Sequence, residues 1–144
     1  MSRSPSHRAA AVLLAIYVAG IAIVLLAPSD ALATWFTDNA AATARTVGVP
    51  EALLGPGRFE LYANTLIFVP PALVATALWE RRSWTDWTAY AFAVSASIEA
   101  VQALLLPGRA AEYVDVVANT AGALIGAVIG AVIRAIAKAR DTES

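Results

Sequence analysis

The chain has 144 residues, of which 59% are hydrophobic and 15% are charged, and its formal net charge at pH 7 is −1. Soluble domains carry about 25% charged residues, and one of this length has too little interior to hide so much apolar surface. The composition therefore argues against a soluble or disordered chain, and the balanced charge argues against nucleic acid as a partner. The sequence has no cysteine, which excludes disulfides, iron–sulfur clusters and thiolate-bound zinc.

Four long apolar stretches are typical of membrane-spanning helices. They cover about 9–27, 61–79, 87–106 and 115–134. A bilayer core requires about 20 apolar residues per helix. A chain in hydrocarbon must also pair its backbone groups internally, which favours helix. We therefore predict an all-α membrane protein, with residues 1–144 forming a single domain built as a bundle of four transmembrane helices.

The first span has an alternative interpretation as a signal peptide. Arg8, the apolar run and the small residues of Ala31-Leu32-Ala33 resemble a charged start, a hydrophobic core and a cleavage site. The apolar run is longer than the usual signal core of about 7–15 residues. We therefore expect the first span to be retained as a membrane helix.

The distribution of basic residues predicts how the bundle is oriented. With the N-terminus inside, seven of the ten basic residues fall on the cytoplasmic side, as the positive-inside rule requires. Trp79, Trp84 and Trp87 lie at the same predicted interface, which amphipathic indole rings prefer. We predict that both the N- and C-termini are cytoplasmic.

The long connection over residues 28–60 is predicted to lie outside. Its first half favours a helix through about Arg45. Trp35 and Phe36 would allow this helix to lie on the outer membrane surface, although its weak, alanine-rich pattern fits an ordinary helical loop equally well. Glycines and prolines over residues 48–57 then predict a break before the second span.

Polar side chains of three spans are predicted to lie at one depth. At a rise of about 1.5 Å per residue, Asn64 lies about 5 Å, Glu99 about 10 Å and Asn119 within about 8 Å of the outer boundary. Gln102 shares a helix face with Glu99, and Asp115 shares one with Asn119. Because polar groups at membrane depth usually face a bundle interior or a cavity, we predict that these residues form one site.

Arg109 is the candidate cation of this site. It lies in the turn between the last two spans, directly above the predicted polar cluster. A carboxylate at the depth of Glu99 requires a cation, a proton or water, and Arg109 is the nearest cation. Simpler roles stay open: the asparagines could only join neighbouring helices, and Asp115 could only interact with the dipole of its own helix.

Glycines and prolines predict how the helices pack. Gly122, Gly126 and Gly130 form a stripe that lets another helix approach closely. The consecutive prolines Pro70 and Pro71 should kink the second span, because each removes a backbone donor and leaves a carbonyl one turn earlier without its partner. The freed carbonyls, those of Leu66 and Ile67, then need another donor.

These residues also carry a resemblance to a known family. The motif reads Asn64-x3-Phe68-x-Pro70, then Ser95-x3-Glu99-x2-Gln102-x6-Arg109-x5-Asp115-x3-Asn119-x2-Gly122-x3-Gly126. Its order and spacing, together with the four-span layout, resemble the VanZ-like domain over about residues 60–130. The chain departs from the family at Ala72, where a glycine is usual, and at the additional Pro71.

The resemblance implies a multi-pass protein of the bacterial plasma membrane that belongs to the cell envelope and has a link to glycopeptide (teicoplanin) tolerance. It also implies one binding site formed by Asn64, Glu99, Gln102, Arg109, Asp115 and Asn119. We favour a binding or accessory protein in which Arg109 meets a phosphate or carboxylate. Its partners would be membrane lipids, through a lipid headgroup, or an envelope precursor.

Two other functions stay open. In an intramembrane enzyme acting on a lipid-linked substrate, Glu99 and Asp115 would serve as general acid and base, although no established catalytic motif is present. In a subunit of a proton-coupled transporter, Glu99 would carry the proton. Four helices are few for such a transporter, so it would need a homo-oligomer, for which the glycine stripe offers a contact. We expect no cofactor and no metal ion.

Overall fold

A computed structural model describes residues 5–27, 29, 31–55, 57–106 and 112–143, and within these ranges the chain is helical and contains no strand. The helices are α1 (Pro5–Leu25), α2 (Ala31–Thr46), α3 (Glu51–Leu54), α4 (Arg58–Leu78), α5 (Trp84–Leu105) and α6 (Tyr113–Glu143). Four of them, α1, α4, α5 and α6, are long and apolar enough to cross a membrane. The predicted all-α fold with four long apolar helices is confirmed, and the orientation of the termini stays a prediction.

The long helices define two ends of the bundle. We call the end where α1 and α5 finish and α4 and α6 begin the polar end. The opposite end, which we call the tryptophan end, carries Trp79, Trp84 and Trp87. There the Trp79 and Trp87 rings lie 5.8 Å apart between centroids. Because α4 and α6 both start at the polar end, they run in the same direction.

The glycine stripe of α6 packs directly on the backbone of α4. A Cβ atom added to Gly122 or Gly126 would overlap the carbonyl oxygen of Thr65 or Val69. At Gly130 the added atom would lie 2.5 Å from the carbonyl oxygen of Leu73. Both helices advance by four residues per contact, so two parallel helices meet along a single seam. Small residues permit this approach because they remove the side chains that would separate the backbones.

The two prolines of α4 are accommodated within a continuous helix. Helical structure extends through Pro70 and Pro71 from Arg58 to Leu78. Pro71 cannot donate to the carbonyl of Ile67, and the Tyr17 hydroxyl of α1 donates to that oxygen at 3.0 Å. A neighbouring helix thus supplies one of the two donors that the prolines remove.

A capping box fixes the start of α5 after a short turn. The Ser83 hydroxyl accepts a hydrogen bond from the Asp86 amide at 3.2 Å, and the Asp86 carboxylate accepts one from the Ser83 amide at 2.8 Å. These reciprocal bonds satisfy two backbone donors that a helix start leaves unpaired. They fix the first turn of α5, which runs antiparallel to α4.

The connection between α1 and α4 folds over the polar end as α2 and α3. The extent of α2 agrees with the helix predicted through about Arg45. The Arg45 guanidinium forms an ion pair with Glu51 at 3.0 Å, and this hydrogen-bonded pairing holds the pKa of the Glu51 carboxyl below its usual range. Gly48, between them, has φ 84°, a conformation that glycine adopts without a steric penalty.

The last helix is longer than the span over 115–134. It contains 31 residues, or about 46 Å of helix against a hydrocarbon core of about 30 Å. The residues beyond Arg134 include alanine, lysine, arginine and glutamate, which favour helix in water. The apolar pattern predicts where the membrane span ends, whereas the helix propensity of the following residues extends α6 beyond that point.

Candidate functional site

Two hydrogen-bonded pairs attach α6 to its neighbours at the polar end. The Asn64 side-chain amide of α4 donates to the Asp115 carboxylate at 2.7 Å. One turn further along α6, the Asn119 side-chain amide donates to the Ser95 hydroxyl of α5 at 2.8 Å. We call these four residues the polar cluster. Three helices therefore contribute polar side chains at neighbouring levels, as their spacing in the sequence predicts.

The second pair is fully buried and leaves one acceptor unused. Ser95 is 1% exposed and Asn119 is 4% exposed. Within the part of the chain that the structure describes, the buried Oδ1 atom of Asn119 has no hydrogen-bond partner. A hydroxyl both donates and accepts, so turning the amide over would keep the bond to Ser95 and leave the nitrogen unpaired instead. An unpaired buried polar atom is costly and needs an explanation, such as a bound water or ligand.

Glu99 lies beside the start of α6. Its carboxylate accepts a hydrogen bond of 2.7 Å from the backbone amide of Glu112, the residue before Tyr113 opens the helix. The first backbone amides of a helix lack partners within the helix and carry a partial positive charge. The structure therefore gives this carboxylate a helix N-terminus as a compensating group.

Gln102 forms a hydrogen bond at a helix C-terminus, whereas Glu99 forms one at a helix N-terminus. It is 3% exposed, and its side-chain amide donates to the carbonyl of Leu25, the last residue of α1, at 2.7 Å. Carbonyls at the end of a helix lack partners within that helix. Glu99 and Gln102, three residues apart on α5, therefore join the beginning of α6 and the end of α1.

Arg109 lies outside the described residues. Its pairing with Glu99, and its role as an anion-binding group, stay predictions. Of the six predicted site residues, the structure joins Asn64 directly to Asp115. It joins Asn119 to Ser95, and Glu99 and Gln102 to backbone groups at helix ends.

Comparison with known proteins places this arrangement in a family. A family model described as VanZ/LLP1 matches residues 12–134. The chain belongs to the VanZ/LLP1 family. No curated protein and no solved structure matches it. Membership confirms the resemblance drawn from the motif, and with four apolar helices it identifies a VanZ-like membrane protein.

The VanZ/LLP1 match begins in α1, well before the stretch over 60–130 that carries the motif. The structure gives α1 two side-chain contacts with that stretch: Tyr17 donates to α4, and Leu25 accepts from Gln102 of α5. The first helix is thus joined to Gln102 of the motif and to the backbone of α4.

One residue of this VanZ-like bundle was missed by the sequence reasoning. The Arg134 guanidinium donates to the carbonyl oxygens of Thr76, Arg82 and Trp79 at 2.9, 3.3 and 3.4 Å. It covers the C-terminal end of α4, where carbonyls lack helical partners. The available signal was its position four residues after Gly130, on the same face as the glycine stripe.

Proposed function

We propose that this protein is a binding or accessory membrane protein of the bacterial cell envelope, and that its polar cluster binds the headgroup of a membrane lipid or of an envelope precursor in the outer leaflet. The observation that carries the proposal is the buried Asn119 Oδ1 atom, which has no partner among the described residues. The outward placement of the polar end rests on the predicted cytoplasmic termini.

The chemistry of the cluster favours a ligand that donates hydrogen bonds. The Asn119 oxygen and the Asp115 carboxylate of the cluster are acceptors, and so is the carboxylate of Glu99, one helical turn after Ser95 on α5. Hydroxyl and ammonium groups can donate to them, whereas a trimethylated ammonium group has no N–H or O–H to offer. Arg109 would add a guanidinium for a phosphate, for which its planar fork is suited.

Headgroup selectivity provides the first test. The full-length protein would be purified in detergent, and its unfolding temperature measured with phosphatidylglycerol, phosphatidylethanolamine or phosphatidylcholine carrying identical acyl chains. A ligand that binds the folded state stabilises it, so the first two lipids should raise the unfolding temperature more than phosphatidylcholine does.

Matched variants assign this selectivity to the cluster. Asn119→Ala should remove the difference between the lipids. Thr76→Val should retain it, because the buried Thr76 hydroxyl lies on α4 towards the tryptophan end. Equal stabilisation of wild-type protein by all three lipids would contradict the proposal, as would selectivity that survives Asn119→Ala.

The proposed envelope role is tested in cells. Wild type, Glu99→Gln and Asp115→Asn would be expressed at matched membrane levels in a teicoplanin-sensitive Gram-positive host. Higher teicoplanin tolerance with the wild type alone would assign the effect to these carboxylates. Equal tolerance in all three strains would make the carboxylates structural, and no tolerance in any strain would mean that the envelope role does not extend to glycopeptide tolerance.

A further inference from the structure

The helix α2 turns its small side chains towards the rest of the protein and its large apolar side chains away from it. Its covered face is formed by the small residues Ala33, Thr37, Ala41 and Ala44. Leu32, Trp35 and Phe36 are instead 41%, 58% and 53% exposed, and the two aromatic rings lie edge to face with centroids 4.9 Å apart. A helix on the surface of a soluble protein has the opposite arrangement, with its apolar stripe towards the core. The exposed side of α2 therefore suits an apolar surrounding.

The polar residues on this side of α2 form hydrogen bonds within their own helix. The Asn39 side-chain amide donates to the Trp35 carbonyl at 2.7 Å, and the Thr43 hydroxyl donates to the Asn39 carbonyl at 2.8 Å. A hydrogen-bonded polar group costs less to place in an apolar surrounding than an unpaired one. These residues therefore belong to the same surface. We call it the outward face, and it consists of Leu32, Trp35, Phe36, Asn39 and Thr43.

The charged side chains of α2 lie on a separate edge. Asp38 and Arg45 are seven residues apart, or about two helical turns, and both are exposed. At about 100° per residue, this edge lies about 95° from the centre of the covered face and about 125° from that of the outward face. One edge of α2 thus meets the protein, one suits water and one suits lipid, as in a helix that lies in the plane of the membrane interface.

The chain connections keep α2 close to the membrane. Five residues separate the end of α1 at Leu25 from the start of α2 at Ala31, and a connection of this length reaches about 20 Å at most. After α2 the chain enters α4, which like α1 is long and apolar enough to cross a membrane. The lipid around the polar end is therefore the apolar surrounding that the outward face can reach.

We infer that α2 is an interfacial helix whose outward face binds the lipid boundary around the polar end of the bundle. Indole rings prefer this level of a membrane, and the apolar face of such a helix enters the boundary by about 5–10 Å. The anchored helix fixes the depth at which the polar end meets the lipid headgroups. The inference does not depend on the proposed headgroup site or on the side of the membrane at which the polar end lies.

Spin labels on single cysteines test this placement, because the chain has no cysteine of its own. The full-length protein would be reconstituted into phosphatidylcholine vesicles. Phe36→Cys and Asn39→Cys place the label on the outward face, whereas Thr34→Cys and Asp38→Cys place it on or near the charged edge at matched positions along the helix. Oxygen concentrates in hydrocarbon and a nickel chelate stays in water. We expect the ratio of oxygen to nickel accessibility to be several-fold higher at positions 36 and 39 than at positions 34 and 38.

Trp35 provides a second measurement without a label. A variant with Trp79, Trp84 and Trp87 replaced by Phe keeps only Trp35. Brominated phosphatidylcholine should quench its fluorescence, and bromine near the headgroup should do so more than bromine at the end of the acyl chain. Adding Trp35→Phe and Thr34→Trp to this variant moves the indole by one residue, or about 100° around the helix. This companion should lose most of the quenching by bromine and gain quenching by aqueous iodide.

The inference is wrong if the accessibility ratio does not differ between the outward face and the charged edge. Nickel access at all four positions, with Trp35 quenched by iodide instead of bromine, would place the outward face in water. Exclusion of both oxygen and nickel from positions 36 and 39 would mean that another protein chain covers this face. A difference in the ratio that is accompanied by no quenching of Trp35 by bromine would contradict the anchoring role of the indole.

Discussion

The helices α6 and α1 are both apolar enough to cross a membrane, yet they pack in opposite ways. In the most apolar stretch of α6, 39% of the residues are buried within the protein, whereas in that of α1 none is buried. Their mean hydropathies, 2.1 and 2.3, are nearly equal. Hydropathy therefore predicts that both helices enter the membrane but does not predict which one forms the centre of the bundle.

Small residues account for the difference. The three glycines of α6 bring it against the backbone of α4, whereas Gly20 of α1 has no atom of another element within 4 Å of where a Cβ would lie. Helices in hydrocarbon gain little from hydrophobicity when they associate, so close packing and hydrogen bonds decide which of them pair. Along its length, α6 has both close packing and hydrogen bonds to its neighbours. α1 has the hydrogen bonds of Tyr17 and Leu25 and, beside them, an apolar cavity of about 220 Å³.

The largest expected effect comes from placing a methyl group in the seam between α4 and α6. Gly126→Ala would force its Cβ into the Val69 carbonyl, and neither backbone can yield without separating the helices. We expect destabilisation of about 1–3 kcal/mol or more, measured by unfolding in mixed detergent micelles. Gly20→Ala makes the same chemical change in α1 and should not destabilise. An equal loss in the free energy of unfolding for Gly126→Ala and Gly20→Ala would contradict the claim that α6 is closely packed and α1 is not.

A smaller effect is expected from the tryptophan end of the same seam. Arg134→Met keeps a long side chain but removes the donors that reach the Thr76, Trp79 and Arg82 carbonyls. A hydrogen bond from a charged donor contributes about 1.5–3 kcal/mol, and we expect the low end, because water near the interface can replace part of it. Arg140→Met is the control, since Arg140 is exposed on the same helix. Equal unfolding midpoints for the two variants would show that Arg134 does not fasten α4.

The contact of α1 with the proline segment should contribute less. Tyr17→Phe removes only the hydroxyl that donates to Ile67, and single hydrogen bonds between membrane helices average about 0.6 kcal/mol. We expect a loss of that order in the free energy of unfolding, with faster amide hydrogen exchange near Pro71. Tyr113→Phe makes the same change at a residue that is 82% exposed and should have no effect. A loss as large as that of Gly126→Ala would mean that α1 is held as firmly as α6.

The smallest effect is expected outside both regions, at the Arg45–Glu51 ion pair. Arg45→Gln should leave the unfolding midpoint unchanged, because both side chains are exposed and such pairs contribute little. The pKa of Glu51 is lowered in the folded protein. Any stabilisation by the pair is therefore present above the ordinary carboxyl pKa and is lost as the pH falls through the lowered one. NMR titration should show the Glu51 pKa rising in Arg45→Gln; an unchanged pKa would mean that the pair does not form in solution.

Sequence reasoning predicted the features of the fold that recur at a regular residue spacing. The four apolar stretches, the face shared by Asp115 and Asn119, and the glycine stripe are all visible in residue spacing. The helix that packs against the glycine stripe cannot be predicted in this way. Regular spacing identifies one face of a helix but not the element that packs on that face. Nothing in the spacing separates α4 from α1 or α5 as the partner of Gly126.

The contacts that the sequence did not predict join a side chain to a backbone group. Sequence reasoning did not foresee that the Glu99 carboxylate accepts a hydrogen bond from the backbone amide of Glu112; the pairing of Glu99 with Arg109 stays a prediction. Sequence reasoning foresaw that Ile67 would need a donor but did not name Tyr17. Backbone groups are present at every residue, so no residue type marks the ones that a side chain will reach. Only the arrangement of helix ends and prolines in space selects them.

The parallel pairing of α4 with α6 also has a consequence for biosynthesis. Gly130, at the far end of the seam, is added to the chain about 50 residues after α4 is complete. At about 5–20 residues per second, α4 spends about 3–10 seconds in the membrane before its partner exists. During that interval the carbonyls of Thr65, Val69 and Leu73 face lipid or the insertion machinery. The helix on which α6 will later pack therefore spends several seconds without the neighbour that covers these carbonyls.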